Sequence, residues 1–186
     1  MDVKTAILSR RAYRSLAPVQ ITKELVEDLA TAASLAPSCF NKQPWRFVFA
    51  YDKEALSQLR PALSKGNEWA QEASMIIAVF SKKELDCAMK DGREYNLFDT
   101  GMGVMSLILR ATELGLVAHP IAGFDPAKAR EALGIPEDMT VITLINVGKH
   151  DEKISPKLSP DQAKGEANRP PRLALNEFAF IDKYEK

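Results

Sequence analysis

The sequence offers little material for several kinds of functional site. Cys39 and Cys87 are its only cysteines, too few for a disulfide framework and not in a CxxC pair, so we expect reduced thiols. His119 and His150 are the only histidines, and their spacing recommends no metal site and no histidine-based triad. Surface or packing roles are expected for both histidines, and a plain loop position for Cys39.

An excess of charge of one sign is also absent. Lysine plus arginine and aspartate plus glutamate each total 25, which gives a formal net charge of +0 at pH 7. No basic stripe with interleaved aromatic residues is present, so a nucleic-acid surface is not expected. There is no apolar run of membrane-spanning length and no signal-peptide core. We therefore expect a soluble, cytoplasmic protein whose partners are small molecules or protein, with no membrane and no nucleic-acid partner.

Common nucleotide and zinc motifs are missing as well, since GxGxxG, GxxxxGK[ST] and HExxH do not occur. The periodic segments instead predict long helices and few strands without a regular βαβ rhythm, which favours an α+β fold in one domain over residues 1–186. Helices are expected over 2–11, from Thr22 to before Pro37, after Asp52, over 97–114 and from Asp125 to Gly134; strands are expected over 45–51, 75–80 and 140–148.

Two segments leave alternatives open. The long helix carries Gly101, Gly103, Ser106 and Ala111, and small residues suit either ordinary core packing or a subunit interface. Residues 149–172 are polar and are expected to cross the surface, whereas residues 173–184 (LALNEFAFIDKY) turn apolar again. That tail is expected to dock on its own sheet or on a neighbouring subunit.

Three stretches could form a ligand site. Arg10, Arg11 and Arg14 cluster near the end of the first helix, where they could bind an anion or simply complement the helix dipole. Residues 35–52 (LAPSCFNKQPWRFVFAYD) include an irregular segment between the end of a predicted helix and a predicted strand. In HPIAGFD, Gly123 would either allow close backbone approach to a flat ligand or serve as a turn glycine.

Taken together, these segments resemble the FMN-dependent nitroreductase family. The resemblance rests on five stretches in the family's order: SRRAYRS, APSCFNKQPWRFVFA, DTGMGVMSLILRATELGLVAHPIAGFD, EALGIPEDMTVITLINVGKHDEKISPK and NRPPRLALNEFAF. It implies a nitroreductase-like fold, with a central, mostly antiparallel sheet flanked by helices in an intertwined homodimer. Residues 149–186 would dock on the partner subunit.

The resemblance also implies where FMN would bind. Arg10, Arg11 and Arg172 would lie at its phosphate, close to Ala12, and Arg14 near the pyrimidine edge of the ring as electrostatic support. The partner subunit would contribute a further stretch of its loop, and the turn after the long helix would follow the ring. These additional positions are Pro37, Ser38, Cys39, Asn41, Asn67, Pro120, Ile121, Ala122 and Gly123.

The implied function is an NAD(P)H-dependent flavin oxidoreductase. Two electrons would pass from NADH or NADPH through flavin N5 to nitroaromatic, quinone or similar acceptors, with no metal and no catalytic side-chain dyad. Ala12 and Ala122 replace residues that many family members have as Ser and Glu, which implies fewer phosphate contacts and a less acidic pocket. Specialised flavin chemistry (dehalogenation, ene reduction or flavin fragmentation) and a non-enzymatic flavin-binding module are the alternatives.

Overall fold

A five-stranded sheet organises the protein in a computed structural model that describes residues 1–184. The strands are β1 (Leu16–Ala17), β2 (Arg46–Ala50), β3 (Met75–Ser81), β4 (Leu116–Ile121) and β5 (Thr140–His150). The helices are α1 (Val3–Ser9), α2 (Lys23–Ser34), α3 (Lys53–Leu59), α4 (Tyr95–Glu113), α5 (Pro126–Leu133) and α6 (Pro160–Ala167). Every strand pairing among the described residues is antiparallel, which confirms the expected α+β class.

Strand β5 is the centre of the sheet. It pairs with β3 along one edge and with β4 along the other, while its last two residues also pair with β1; β2 extends the sheet beyond β3. Strand β3 is buried at every residue, as its continuous apolar sequence predicts. Its side chains alternate between two cores: Ile76, Ala78 and Phe80 on one face, and Met75, Ile77 and Val79 on the other.

Polar caps fix where the helices begin. Asp2, Thr22, Asp52 and Asp125 each accept a hydrogen bond from a backbone N–H of the first turn of α1, α2, α3 or α5, as the sequence indicates. At the other end of α5, the helix stops at Gly134 as expected, and this glycine adopts a left-handed conformation with φ of 62°. Local sequence therefore sets most of the helix boundaries.

Two strands escaped the sequence analysis. His119 and Pro120 were expected in a loop, with residues 119–125 joining the long helix to the next one, but residues 116–121 form β4. Among the described residues this strand pairs with β5 alone, so Pro120 lies on an edge strand, where a missing N–H is tolerated. Strand β1 has two residues and thus too little pattern to detect.

Residues 149–172 lie mostly at the surface, as expected, but they contain regular secondary structure that the sequence analysis did not predict. The first two of these residues complete β5, and residues 160–167 form α6, capped by Ser159 with Gln162 in a capping box. The apolar side chains of residues 173–184 remain exposed, with Leu175 at 74% and Ile181 at 89% exposure. Docking of this tail on a partner subunit stays a prediction.

The structure decides between core packing and a subunit interface for one of the small residues of the long helix. A side chain at Gly103 would come within 3.2 Å of the Trp45 ring, so this glycine serves core packing, whereas Gly101 faces open space. Within residues 1–184, no helix combines the length and apolar character needed to cross a membrane.

Candidate functional site

An arginine-rich cleft forms where the segment after α1 meets the segment around the end of α6. Its volume is about 210 Å³, and no acidic side chain lines it. The lining residues are Arg10, Arg11, Ala12, Arg14, Gly165, Arg169, Pro170 and Arg172. The five cleft residues expected from the sequence are thus brought together, and Arg169 joins them.

The side chain of Glu166 holds the N-terminal wall of the cleft in place. Its carboxylate is buried and accepts hydrogen bonds from the backbone N–H groups of Arg14, at 2.8 Å, and Ser15, at 3.0 Å. Two charge-assisted bonds satisfy an anion that would otherwise be costly to bury. Sequence analysis missed Glu166, because a single glutamate in a polar helix carries no signal of burial.

The Arg11 guanidinium is already occupied by hydrogen bonds to backbone carbonyl groups of α6. Its Nη2 donates to the carbonyl oxygens of Gly165, at 2.6 Å, and Glu166, at 3.2 Å, in the last turn of α6. Its guanidinium also lies 4.5 Å from the centre of the Tyr13 ring. Carbonyls at a helix C-terminus lack intrahelical partners, so Arg11 caps α6.

Arg169 caps the C-terminus of α1 in the same way. Its Nη2 donates to the carbonyl oxygens of Leu8, at 2.7 Å, and Arg10, at 2.8 Å. The first helix ends at Ser9 rather than near Arg11, so the Arg10–Arg11–Arg14 cluster follows the helix instead of forming its last turn. The dipole-complementing role considered for that cluster therefore belongs to Arg169.

Three guanidinium groups of the cleft have no hydrogen-bonding or ion-pair partner among the described residues. Among residues 1–184, the side chains of Arg10, Arg14 and Arg172 make no hydrogen bond and no ion pair. Burial lowers the pKa of Arg10, and the positive charges of Arg169 and Arg172 lower it further. Like charges gathered in one cleft repel each other, and an anion placed among them would relieve that repulsion.

A buried stack connects the cleft to β4. The Arg14 guanidinium lies 6.0 Å from the Trp69 ring centre, and the Trp69 and His119 rings lie 4.6 Å apart. His119 Nδ1 is 2.9 Å from the Tyr13 carbonyl oxygen, which fits a neutral ring with its proton on Nδ1. Burial lowers the pKa of His119 from 6.5 to about 4. The expected packing role of His119 is confirmed, although in a strand rather than a loop.

A glycine in the turn after β4 leaves room for the side chain of Asn67. Asn67 Nδ2 donates to the Gly123 carbonyl oxygen at 2.8 Å, and a β-carbon on Gly123 would stand 2.6 Å from that nitrogen. At the end of β4 Pro120 is exposed and Ile121 packs in the core, and Ala122, the first residue after the strand, is exposed. A ligand along this turn would therefore meet the backbone of Ile121 and not its side chain.

The segment of residues 37–43, called here the 37–43 loop, has an unusual backbone. Phe40, Asn41 and Gln43 have φ angles of 47°, 56° and 50°, in the left-handed region that non-glycine residues rarely adopt. Local bonds support the conformation, including Gln43 N–H to Ser38 Oγ at 3.0 Å. Phe40 is 91% exposed. Strain of this kind persists where the surroundings over-determine the backbone, which is common at functional sites.

The two cysteines correct the expectation of free thiols. Cys39 in the 37–43 loop and Cys87 after β3 form a disulfide across 48 residues of sequence. Neither lies in a recognised motif, so their pairing could not be read from spacing. Cys39 is therefore not a plain loop residue.

A second cleft borders the 37–43 loop. Its volume is about 420 Å³, and its lining residues are Pro37, Ser38, Cys39, Met89, Arg93, Tyr95, Asp99 and Met102. It shares no lining residue with the arginine cleft. Within one protomer, the residues expected at the two ends of a flavin thus line separate surfaces.

Comparison with known proteins identifies the family to which the chain belongs. The family model described as "Nitroreductase family" matches residues 7–74 and 64–149. The chain belongs to the nitroreductase family. The arginine cleft, the 37–43 loop and the turn after β4 are therefore features of a nitroreductase family member.

Individual relatives agree with that assignment. A Stenotrophomonas maltophilia (strain K279a) protein with the provisional name NADH dehydrogenase/NAD(P)H nitroreductase is 31% identical over 180 residues, covering 87% of this chain and 86% of its own. A crystal structure titled as an oxidoreductase containing FMN aligns with a TM-score of 0.84 at 27% identity, over 100% of this chain and 94% of that one. An Exiguobacterium sibiricum 255-15 protein, provisionally named a nitroreductase and crystallised with FMN, aligns with a TM-score of 0.77 at 26% identity, over 98% of both chains. The expected nitroreductase-like fold is confirmed.

Proposed function

We propose that this nitroreductase family member binds FMN and passes two electrons from NADH or NADPH to an electron-poor acceptor such as a nitroaromatic compound or a quinone. The observation that carries the proposal is the arginine cleft, in which Arg10, Arg14 and Arg172 converge without a hydrogen-bonding partner among the described residues. The names of the relatives support the flavin and the nicotinamide donor.

The residues of the cleft fit the phosphate end of FMN. Guanidinium groups bind phosphate oxygens with two-point geometry, and unpaired ones have that capacity free. Arg10 and Arg172 would hold the phosphate. Arg11, which the sequence places beside them, contributes by fixing α6, because its guanidinium already binds two carbonyls.

The ring end of the site would lie toward β4. Gly123 has no side chain, and Asn67 holds its carbonyl, so the backbone of this turn is fixed and approachable. Arg14 packs over Trp69 between the cleft and β4, where its charge would stabilise an anionic ring. When bound, FMN supplies the two-electron chemistry at N5, so the chain provides position, charge and exclusion of water.

A second protomer would complete the site. The 37–43 loop borders a cleft separate from the arginines, and the tail of residues 173–184 exposes apolar side chains that one protomer does not cover. Both features fit a homodimer in which the loop of one subunit and the arginines of the other enclose one flavin.

The deciding measurement is the visible spectrum of FMN-loaded, desalted protein before and after anaerobic NADPH and then NADH. Retained flavin bands that bleach support the proposal, and the faster donor is the preferred one. Retained flavin that neither donor bleaches would favour a binding module or specialised flavin chemistry, and loss of flavin would contradict the proposed site. Light scattering of the same sample tests the dimer, because an FMN-bound monomer would contradict a shared site.

A further inference from the structure

The disulfide joins two loops that are otherwise weakly connected. Residues 87–94 lie between β3 and α4, and every hydrogen bond observed for them stays within residues 83–97. Most of these side chains are exposed. The bond between Cys87 and Cys39 is therefore their principal attachment to the 37–43 loop, and both loops line the second cleft.

Two buried carboxyl groups accept hydrogen bonds from the backbones of the cysteines, and the one from Asp99 attaches Cys39 to α4. The Cys39 N–H donates to Asp99 Oδ2 at 2.7 Å, and the Cys87 N–H donates to Asp86 Oδ1 at 2.7 Å. The remaining oxygens, Asp99 Oδ1 and Asp86 Oδ2, are buried without a partner among the described residues. Burial raises the pKa of Asp86, and the nearby negative charge of Asp99 raises it further.

This anchoring is independent of the sulfur–sulfur bond. After reduction Asp99 would still hold Cys39 against α4, and β3 and α4 would still fix the two ends of the segment that carries Cys87, so the thiols would remain close enough for the bond to form again. The backbone beyond Cys39 is different, because Phe40 and Gln43, on either side of a left-handed Asn41, occupy left-handed conformations that are unfavourable for their residue types. Without the disulfide, fewer constraints oppose relaxation of these residues.

We propose that Cys39 and Cys87 form a reversible redox latch that controls the 37–43 loop and, through it, flavin binding. In the oxidised state the disulfide holds the loop in its strained conformation; in the reduced state the loop relaxes and the flavin site loosens. The second half of this inference rests on the proposed function.

The reaction is thiol–disulfide exchange. An external dithiol breaks the Cys39–Cys87 bond, two cysteine thiols form, and the dithiol becomes a disulfide by giving up two electrons and two protons. The reverse reaction needs an external disulfide. No electron need pass through the flavin, so the latch is distinct from the nicotinamide reaction.

The first test follows the loop without any flavin. Hydrogen exchange of apo protein is compared with and without dithiothreitol, after alkylation and intact mass have established the state of both cysteines. Reduction should speed exchange of the backbone amides of Asn41, Lys42 and Gln43 at least about fivefold, while the amides of β3 stay unchanged. Equal exchange in both states would overturn the latch. Two alkylatable thiols in protein kept without reductant would also overturn it.

The second test measures FMN affinity in the same two states. Oxidised protein should bind FMN at least about fivefold more tightly than reduced protein, as expected for a coupled equilibrium. Cys87→Ser should match the reduced protein and ignore dithiothreitol, and Met89→Leu, in the same segment, should still respond to it. If exchange changes but neither state binds FMN, the proposed function fails and the loop's redox dependence stands. If both states bind FMN equally, control of flavin binding is refuted although the proposed function survives.

Discussion

The arginine cleft and the 37–43 loop represent two ways of preparing a ligand site. In the cleft, packing and hydrogen bonds bring charges together: Glu166 fixes one wall, and Arg11 and Arg169 cap two helices. In the loop, the backbone itself is strained and a disulfide restrains it. The first arrangement stores electrostatic repulsion and the second stores conformational strain, so mutations should affect stability and binding differently in each.

The largest effect is expected where the cleft depends on one buried carboxylate. Glu166→Ala leaves the N–H groups of Arg14 and Ser15 unpaired in a buried position, at a cost of about 4 kcal/mol in unfolding free energy. Urea denaturation of apo protein measures this cost, and Glu152→Ala, which removes an exposed glutamate, is the control. A loss no greater than that of the control would show that Glu166 does not hold the wall.

The next effect is a pH dependence centred on His119. Its pKa is about 4 when folded and 6.5 when unfolded, so the unfolded chain binds more protons between these values. Stability should therefore fall as pH drops from 6.5 to 4, by about 3 kcal/mol from this group. Glu166, Arg14 and Arg10 face the ring and contribute to its pKa.

The comparison that isolates His119 uses the variant His119→Gln. Subtracting its pH profile of unfolding free energy from that of the wild type removes the contribution of the carboxyl groups. If the two profiles run parallel between pH 7 and pH 4.5, the buried neutral histidine is refuted.

Substitution of two neighbouring arginines should have opposite relative effects on FMN affinity and on unfolding free energy. Arg10→Ala removes a charge that has no hydrogen-bonding partner, so apo stability should be unchanged or slightly higher while FMN affinity falls at least about tenfold. Arg11→Ala removes the cap of α6 and should cost about 1.5 kcal/mol in stability, with a smaller loss of affinity. Denaturation and FMN titration of both variants test this, and equal effects in both would contradict the division of roles.

The smallest effect concerns strain in the loop. Phe40→Asn places a residue that tolerates left-handed backbone at φ of 47°, and should raise apo stability by about 1 kcal/mol. Phe178→Asn is the control, because Phe178 is also exposed but has φ of −143°. A gain confined to Phe40→Asn in thermal unfolding would locate the strain; no gain would mean that the loop relaxes at little cost.

Local chemistry explains which parts of the structure could be predicted from the sequence. Helix starts could be predicted from the capping residues Thr22, Asp52 and Asp125, and the buried strand β3 from its apolar run. Each of these signals acts within a few residues of the sequence. The arginine cluster and the irregular loop were recognisable by composition. Their family resemblance supplied Arg172, which composition alone would not have selected.

Contacts between distant residues explain the rest. The Arg11 cap, the Glu166 anchor and the Arg169 cap each join positions more than 150 residues apart. The disulfide pairs two cysteines that carry no motif, and β4 contains a proline that marks a loop in isolation. No local pattern encodes these pairings, so they emerge only when the sheet brings the segments together.

The anchoring of residues 14 and 15 by residue 166 also has a consequence for synthesis. The N-terminal half of the arginine cleft leaves the ribosome about 150 residues before the carboxylate that fixes it. During translation the sheet can assemble as soon as β5 emerges, but the cleft must wait for α6 and Arg172. The arginine cleft therefore cannot bind an anion until α6 and Arg172 have been synthesised, which is later than the point at which the sheet is complete.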